Sequence, residues 1–394
     1  MANRRIGEAE RRARLARRHH LAPSARSDGV AQVARDVVAL HATDPASVHL
    51  AAWARLHDPT VEAVDRALYD ERSLLRMLGM RRTMFVVPTA AAPVVQSACT
   101  DAIAARERLR LEEVLEAGGI ADPAGPWLRR VEDDVAAALA ARGEATGQEL
   151  SRDVAGLRQR IHLAEGKAYA ASVNITTRVL FVMAAEGRIV RGRPRGSFIS
   201  SQYRWRPMDA WLPGGMPSMP VDEARAELVR SWLGSFGPGT AADVKWWTGW
   251  TAGEARRAMS AVGAVEVELD GGGTGHVLPD DEEVSDAPEP WVALTPALDP
   301  TVMGWQGRDW YLGSHGPALL DRSGNPGPTV WCDGRIVGGW AQRADGEIVV
   351  RLLDDVGRVA TDAVGAEADR LRRWLGDIRV TPRFRTPLER ELSA

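Results

Sequence analysis

Two cysteines, Cys99 and Cys332, are all that the 394 residues contain. They supply neither a disulfide framework nor a zinc cluster. Lysine is equally scarce, at Lys167 and Lys245 only, so almost all the basic charge is carried by arginine. No run of about 18 apolar residues occurs, and no transmembrane helix is expected. Met1 to His20 is rich in arginine, is interrupted by Glu8 and Glu10 and lacks an apolar centre, which does not read as a signal peptide. A cytoplasmic protein is expected. Excess positive charge is missing too. The net charge of −3 excludes a uniformly basic nucleic-acid binder. It does not exclude segregated charge, because the field near a patch matters more than the total.

Segregation is what the chain has. Arg188 to Arg206 holds six arginines and no acid, and Asp280 to Glu289 holds six acids and no base. The hydrophobic fraction of 45% is ample for globular cores, and the length predicts two to four domains.

Apolar spacing organises the chain into similar pieces. Residues 4–20 read as a helix whose Arg11, Arg12, Arg14, Arg17 and Arg18 are candidates for phosphate contact or for a solvated face. Ser27–Leu40, Val48–Leu56 and Val61–Tyr69 read as helices, and Leu74–Leu78 with Thr83–Val87 as a hairpin. Three helices and a hairpin are the order of a winged helix. Arg76, Arg81 and Arg82 lie on or near that hairpin, the candidate wing. After a long helix over 93–117 and a Pro/Gly linker, the order repeats. Trp127–Ala141, Gly147–Val154 and Ser172–Glu186 read as helices. Thr146 and Glu149 form a capping box before the second of them. The hairpin that follows carries Arg188, Arg191, Arg193, Arg195 and Arg204, a run that points to phosphate binding.

A third repeat covers Val221–Leu233, Ala241–Trp247, Ala252–Val262 and short strands at Val265–Leu269 and His276–Leu278. Beyond the acidic linker, strands are expected at Trp291–Leu294, Trp310–Leu312, Thr329–Cys332, Arg335–Gln342, Glu347–Leu352 and Ile378–Phe384, with one helix over Thr361–Leu375. The predicted fold class is α+β: three tandem winged-helix modules followed by a small C-terminal β-barrel. The expected divisions are 1–120, 121–206, 207–280 and 281–394.

One loop in the first module gathers side chains that handle protons and water: His41-Ala42-Thr43-Asp44-Pro45. Pro45 cannot continue a preceding helix and pushes Asp44 out of the α region. The turn is therefore expected to present His41, Thr43 and Asp44 rather than bury them. The competing role for Thr43 or Asp44 is to cap the next helix.

The later chain carries a resemblance. Ser235-Phe-Gly-Pro-Gly-Thr-Ala-Ala-Asp-Val-Lys-Trp-Trp-Thr-Gly249 resembles the "FGPAT…D…WxG" signature of one winged-helix superfamily. Leu298-Asp-Pro-Thr-Val-Met-Gly-Trp305, Gly324-Asn-Pro-Gly-Pro-Thr-Val-Trp331 and Asp333-Gly-Arg-Ile-Val-Gly-Gly-Trp340 resemble three of its other blocks. The superfamily is that of the AlkZ/YcaQ-like DNA glycosylases. The resemblance implies three winged helices and a barrel around a concave DNA-binding face. It also implies excision of alkylated bases, including N7-alkylguanines, bulky genotoxin adducts and interstrand crosslinks, in base excision repair or antibiotic self-resistance. The expected partner is double-stranded DNA with alkylated or crosslinked bases, bound by a monomer without cofactor, metal or membrane.

The family's catalytic motif follows the first long helix and reads Gln-x-Gln or Gln-x-Asp. The aligned residues here are His41-Ala42-Thr43, which differ at both motif positions. They are chemically competent: a neutral imidazole accepts a proton from water, and a hydroxyl holds the same water. Asp44 is a candidate to orient His41 or stabilise a cationic sugar. Neither lysine is near this loop in sequence, so a Schiff-base lyase step is not expected and the enzyme is predicted to be monofunctional. The competing class is a non-catalytic winged-helix lesion binder or transcription regulator, which the departure at His41 and Thr43 favours. A metal-dependent nuclease is weakly supported, because the histidines show no ligand spacing.

Overall fold

The computed structural model describes residues 4–163, 171–281 and 283–394. Three helix starts follow directly from local chemistry. Thr146 with Glu149, Thr240 with Asp243 and Thr251 with Glu254 each close a reciprocal capping box, opening helices Gly147–Asp153, Ala241–Thr248 and Ala252–Ala261. Helices and short, mostly antiparallel strands alternate along the chain, an α+β fold. None of the described helices is long and apolar enough to cross a membrane.

The chain divides into two units. One comprises 1–75, 85–89 and 225–394; the other comprises 76–84 and 90–224. In the first, helix Glu8–Arg18 buries Ala13, Leu15 and Ala16. Three of its arginines are bonded within the fold, while Arg17 is exposed. Arg14 and Arg18 reach Asp281 at 2.9 and 2.5 Å, and Arg12 donates to the Trp310 carbonyl. The acidic linker is therefore in part an anchor for this helix. Before the helix, Arg5–Ile6 adds a strand parallel to Val265–Leu269, whose other neighbour is Thr274–Val277.

The C-terminal part of this unit differs from the expected barrel. Val292–Thr295, Thr329–Cys332, Arg335–Gln342 and Ile348–Leu352 form an open antiparallel sheet in that order. The segment expected as a closing strand, 378–384, spends its backbone groups on side chains instead. Val380 N–H donates to Gln342 Oε1 at 2.8 Å, Ile378 C=O accepts from Gln342 Nε2, and Arg383 N–H donates to Asp44. Pro382 has no N–H to give a ladder. Residues 310–312, expected as a strand, lie in helix Asp309–Leu312. Trp310, Tyr311 and Leu312 are all buried there, which alternation in a half-exposed strand does not allow.

The second unit has its own core. Leu128, Val131, Val135 and Leu139 of helix Ala124–Arg142 pack with Leu150, Val179 and Met183. Ala145–Thr146, Tyr203–Pro207 and Ile189–Pro194 form a three-stranded sheet in that order. The helix expected from Ser172 begins only at Thr176. Ala171–Asn174 is a strand paired antiparallel with Arg160–Leu163. A partner strand satisfies its backbone, and sequence periodicity does not reveal that partner.

Candidate active site and nucleic-acid interface

Helix Val30–Asp36 ends at Val37, and Val38 then takes a left-handed conformation with φ of 65°. A β-branched residue rarely does so. The reversal sends the chain into the two-residue strand Leu40–His41, which pairs antiparallel with Val86 and Phe85. His41 is thus held at a strand end, not in a free loop. The expectation that the turn presents all three side chains is corrected. His41 is 5% exposed and Asp44 7%. The His41 ring meets Phe85 edge-on at 5.1 Å, and its Nδ1 accepts a long bond of 3.5 Å from Thr43 N–H.

Asp44 is the N-cap of helix Pro45–Trp53. One carboxylate oxygen accepts from Ala46 N–H at 3.2 Å, the other from Arg383 N–H at 3.0 Å. Burial pushes its carboxyl above the ordinary value, and the two N–H bonds partly offset this. The small cavity beside Asp44 has a volume of about 20 Å³. It holds about one water and no nucleobase.

Thr43 is the exception in this loop. Its hydroxyl oxygen is inaccessible and has no hydrogen-bond partner among the described residues. An unsatisfied buried hydroxyl costs about 1–3 kcal/mol. The loop thus keeps one polar atom, next but one to an imidazole, whose bonding capacity the chain does not use.

The expected DNA-contacting arginines sort into different environments. Arg76 is 4% exposed, with its guanidinium 5.0 Å from the Tyr203 ring. Arg81 and Arg82 stand at the tip between strands Leu74–Gly79 and Thr83–Pro88, both with left-handed φ, 52° and 59°. Arg82 pairs with Glu107 at 2.8 Å. On the second hairpin, Arg188 pairs with Glu132 at 2.7 Å and Asp133 at 3.6 Å, and Arg204 with Glu144 at 2.9 Å. The run without acids in sequence is therefore partly neutralised by acids elsewhere in the chain. Arg193 and Arg195 are exposed near the hairpin turn. Arg191 lies with its guanidinium 4.7 Å from the Trp205 ring.

Sequence reasoning missed Arg152 and Arg158. They line the same cleft as Arg191 and Arg195, with a volume of about 760 Å³. Their only sequence signal is one arginine late in a short helix and another in the turn after it. Lys245 is exposed on helix Ala241–Thr248, and Lys167 lies outside the described residues.

Comparison with known proteins bears on both regions. No curated protein sequence matches significantly. The fold is similar to that of Streptomyces sahachiroi DNA glycosylase AlkZ, with a TM-score of 0.72 and 22% identity over 95% of this chain and 98% of that one. A family model described as DNA glycosylase AlkZ-like matches residues 34–374, a span that contains the His41 loop, both arginine-bearing hairpins and the open C-terminal sheet. The chain belongs to the AlkZ-like DNA glycosylase family.

Proposed function

We propose that this protein is a monofunctional DNA N-glycosylase that removes alkylated purines, with N7-alkylguanine, bulky adducts and interstrand crosslinks as its substrate class. The observation that carries the reading is the family match across residues 34–374, which includes the loop with the unbonded Thr43 hydroxyl. We read the chain as three winged-helix modules over 1–120, 121–206 and 207–280, with 281–394 as a C-terminal sheet domain. Each of the three combines helices with a hairpin, the order of modules that dock on duplex DNA. The partner is damaged double-stranded DNA, bound by a monomer in the bacterial cytoplasm.

The chemistry asks little of an acid. An N7-alkylguanine is cationic and departs as a neutral base, leaving oxocarbenium character at C1′. What remains is to place a water and to stabilise the sugar. Thr43 Oγ1 holds the water. His41, neutral, takes its proton as the oxygen bonds to C1′, and the product is an abasic sugar. Asp44 acts through the backbone, setting the turn by capping the next helix and holding Arg383 N–H. Of the arginines expected to meet phosphates, Arg76, Arg81, Arg82, Arg188, Arg191, Arg193, Arg195 and Arg204, those most accessible on the second hairpin are Arg193 and Arg195, whereas Arg76 is buried and Arg82, Arg188 and Arg204 pair with carboxylates.

The test is single-turnover cleavage of duplexes carrying N7-methylguanine or a bulky N7 adduct, with alkali revealing abasic sites. His41→Ala and Thr43→Ala are expected to lower the rate at least tenfold while the fold is retained. A borohydride-trapped enzyme–DNA adduct contradicts monofunctional chemistry. Salt-dependent binding without abasic sites makes the protein a lesion binder, a reading to which the burial of His41 lends weight.

A further inference from the structure

Residues 378–384 run between helix Gly357–Leu375 and helix Pro387–Leu392 without a strand neighbour among the described residues. Some other group has to fix such a segment, because a buried N–H or C=O without a partner is costly. Gln342, the last residue of strand Arg335–Gln342, is 8% exposed and turns its side-chain amide to the segment as a neighbouring strand would. Oε1 accepts from Val380 N–H at 2.8 Å, and Nε2 donates to Ile378 C=O at 3.1 Å. The two bonds bracket a single residue, so they fix the point along its length at which the segment is held.

That point decides what meets Asp44. Three residues beyond Val380, about 10 Å of extended chain, Arg383 N–H donates to the second carboxylate oxygen of Asp44 at 3.0 Å. A slip of one residue would bring up Pro382 instead, whose nitrogen carries no hydrogen. Burial pushes the Asp44 carboxyl up; Arg383 N–H opposes this most, ahead of Ala46 N–H and the Arg383 charge. The other Asp44 oxygen caps helix Pro45–Trp53 through Ala46 N–H. Asp44 therefore ties the segment to the turn that carries His41 and Thr43. Gln342, Val380 and Pro382 also stand in the wall of the small cavity beside Asp44.

We propose that Gln342 is a positioning residue for this turn: by clasping Ile378 and Val380 it sets the register of 378–384 and so delivers Arg383 N–H to Asp44. It acts through Asp44 and not on the substrate. The linkage follows from the geometry; its effect on excision rests on the proposed function.

The experiment uses the full chain. Gln342→Leu roughly keeps the side-chain volume and removes both bonds. Single-turnover excision of N7-methylguanine at saturating enzyme is expected to fall by about fivefold or more, with the Kd for the same duplex unchanged within about twofold. Gln342→Leu combined with Asp44→Ala is expected to be no slower than Asp44→Ala alone, because both changes break one linkage. Amide hydrogen exchange, resolved residue by residue, reads the linkage without excision. In Gln342→Leu the Arg383 and Ala46 amides are expected to exchange about tenfold faster or more, and the Val330 amide of the sheet as in wild type. Gln342→Glu is the conservative variant. Protonated, its new carboxyl accepts and donates as the amide does; ionised, it only accepts. Protection of Arg383 and Ala46 relative to wild type is expected to rise from about pH 8 to about pH 5.5 in this variant. It carries the test if circular dichroism shows Gln342→Leu to be unfolded. Wild-type exchange at Arg383 and Ala46, or rate losses that multiply in the double variant, overturn the proposal. A weaker Kd with an unchanged rate also overturns it and makes Gln342 a residue of DNA binding. If the wild type forms no abasic sites, the glycosylase reading falls, and exchange at Ala46 decides whether Gln342 sets the turn.

Discussion

His41, Thr43 and Asp44 sit within four residues and differ in how their side chains are bonded. Asp44 has both oxygens engaged by backbone N–H groups, one local and one 339 positions away. Asp44→Ala should lower stability by about 1–2 kcal/mol, the usual cost of losing an N-cap, seen as an earlier urea midpoint. Thr43→Ala should not lower that midpoint, because no hydrogen bond is lost and an unsatisfied buried hydroxyl is removed, while the excision rate falls. Equal stability losses in the two variants contradict this division of labour. The cap at Asp44 was legible from Pro45 and the helix that follows; its bond to Arg383 was not, since no local pattern encodes a contact of that separation. His19 makes a separate prediction. It is fully buried, with Nδ1 at 2.9 Å from Thr301 Oγ1 and Nε2 at 3.2 Å from Ser235 C=O. Burial, and then Arg55, hold it neutral well below its ordinary pKa. The unfolded chain takes up this proton near pH 6.5, the native protein only at much lower pH. Stability should therefore fall as pH drops through and below 6.5, by up to about 1.4 kcal/mol per pH unit from this residue. Urea unfolding at pH 7.5 and 5.5 should show a smaller difference for His19→Gln than for wild type.

At the scale of elements, helix starts were far more legible than strand partners. Thr146 with Glu149 specifies a helix within four residues, and that helix forms where expected. Arg5–Ile6 carries no such signal, because its only reason to be a strand is the distant edge of Val265–Leu269. The tip of the Leu74–Pro88 hairpin breaks a local rule instead. Arg81 and Arg82 occupy left-handed conformations that suit glycine and asparagine. Strain at a tip that carries two cations fits a surface kept for binding rather than for stability. The double change Arg81→Asn with Arg82→Gly should raise stability by about 1–2 kcal/mol. The same variant should bind duplex DNA more weakly, with a shallower salt dependence. Gains in both stability and affinity would show that the arginines serve no phosphate contact.

On the scale of the whole molecule, one unit is assembled from three separated stretches of chain. Its interior contains a fully buried ion pair between Arg55 and Asp299, at 2.8 and 2.7 Å, with Thr301 accepting a further bond from the guanidinium. Removing one partner strands the other charge. Asp299→Ala should cost about 3–5 kcal/mol in denaturant unfolding, and Arg55→Met with Asp299→Leu considerably less. The sequence alone determined the α+β class, most helix positions, the arginine-bearing hairpins and the loop where chemistry was to be sought. Those features rest on periodicity, capping and turn residues, which act over a few positions. Tertiary structure decided the rest. The C-terminal sheet stays open because Gln342 and Asp44 take the backbone bonds of the segment that was to close it. Arg188 and Arg204 are neutralised by acids 56 and 60 residues away, while Arg152 and Arg158 join Arg191 around one cleft. Charge pairing and burial depend on distance in space, and a run of letters records only distance along the chain.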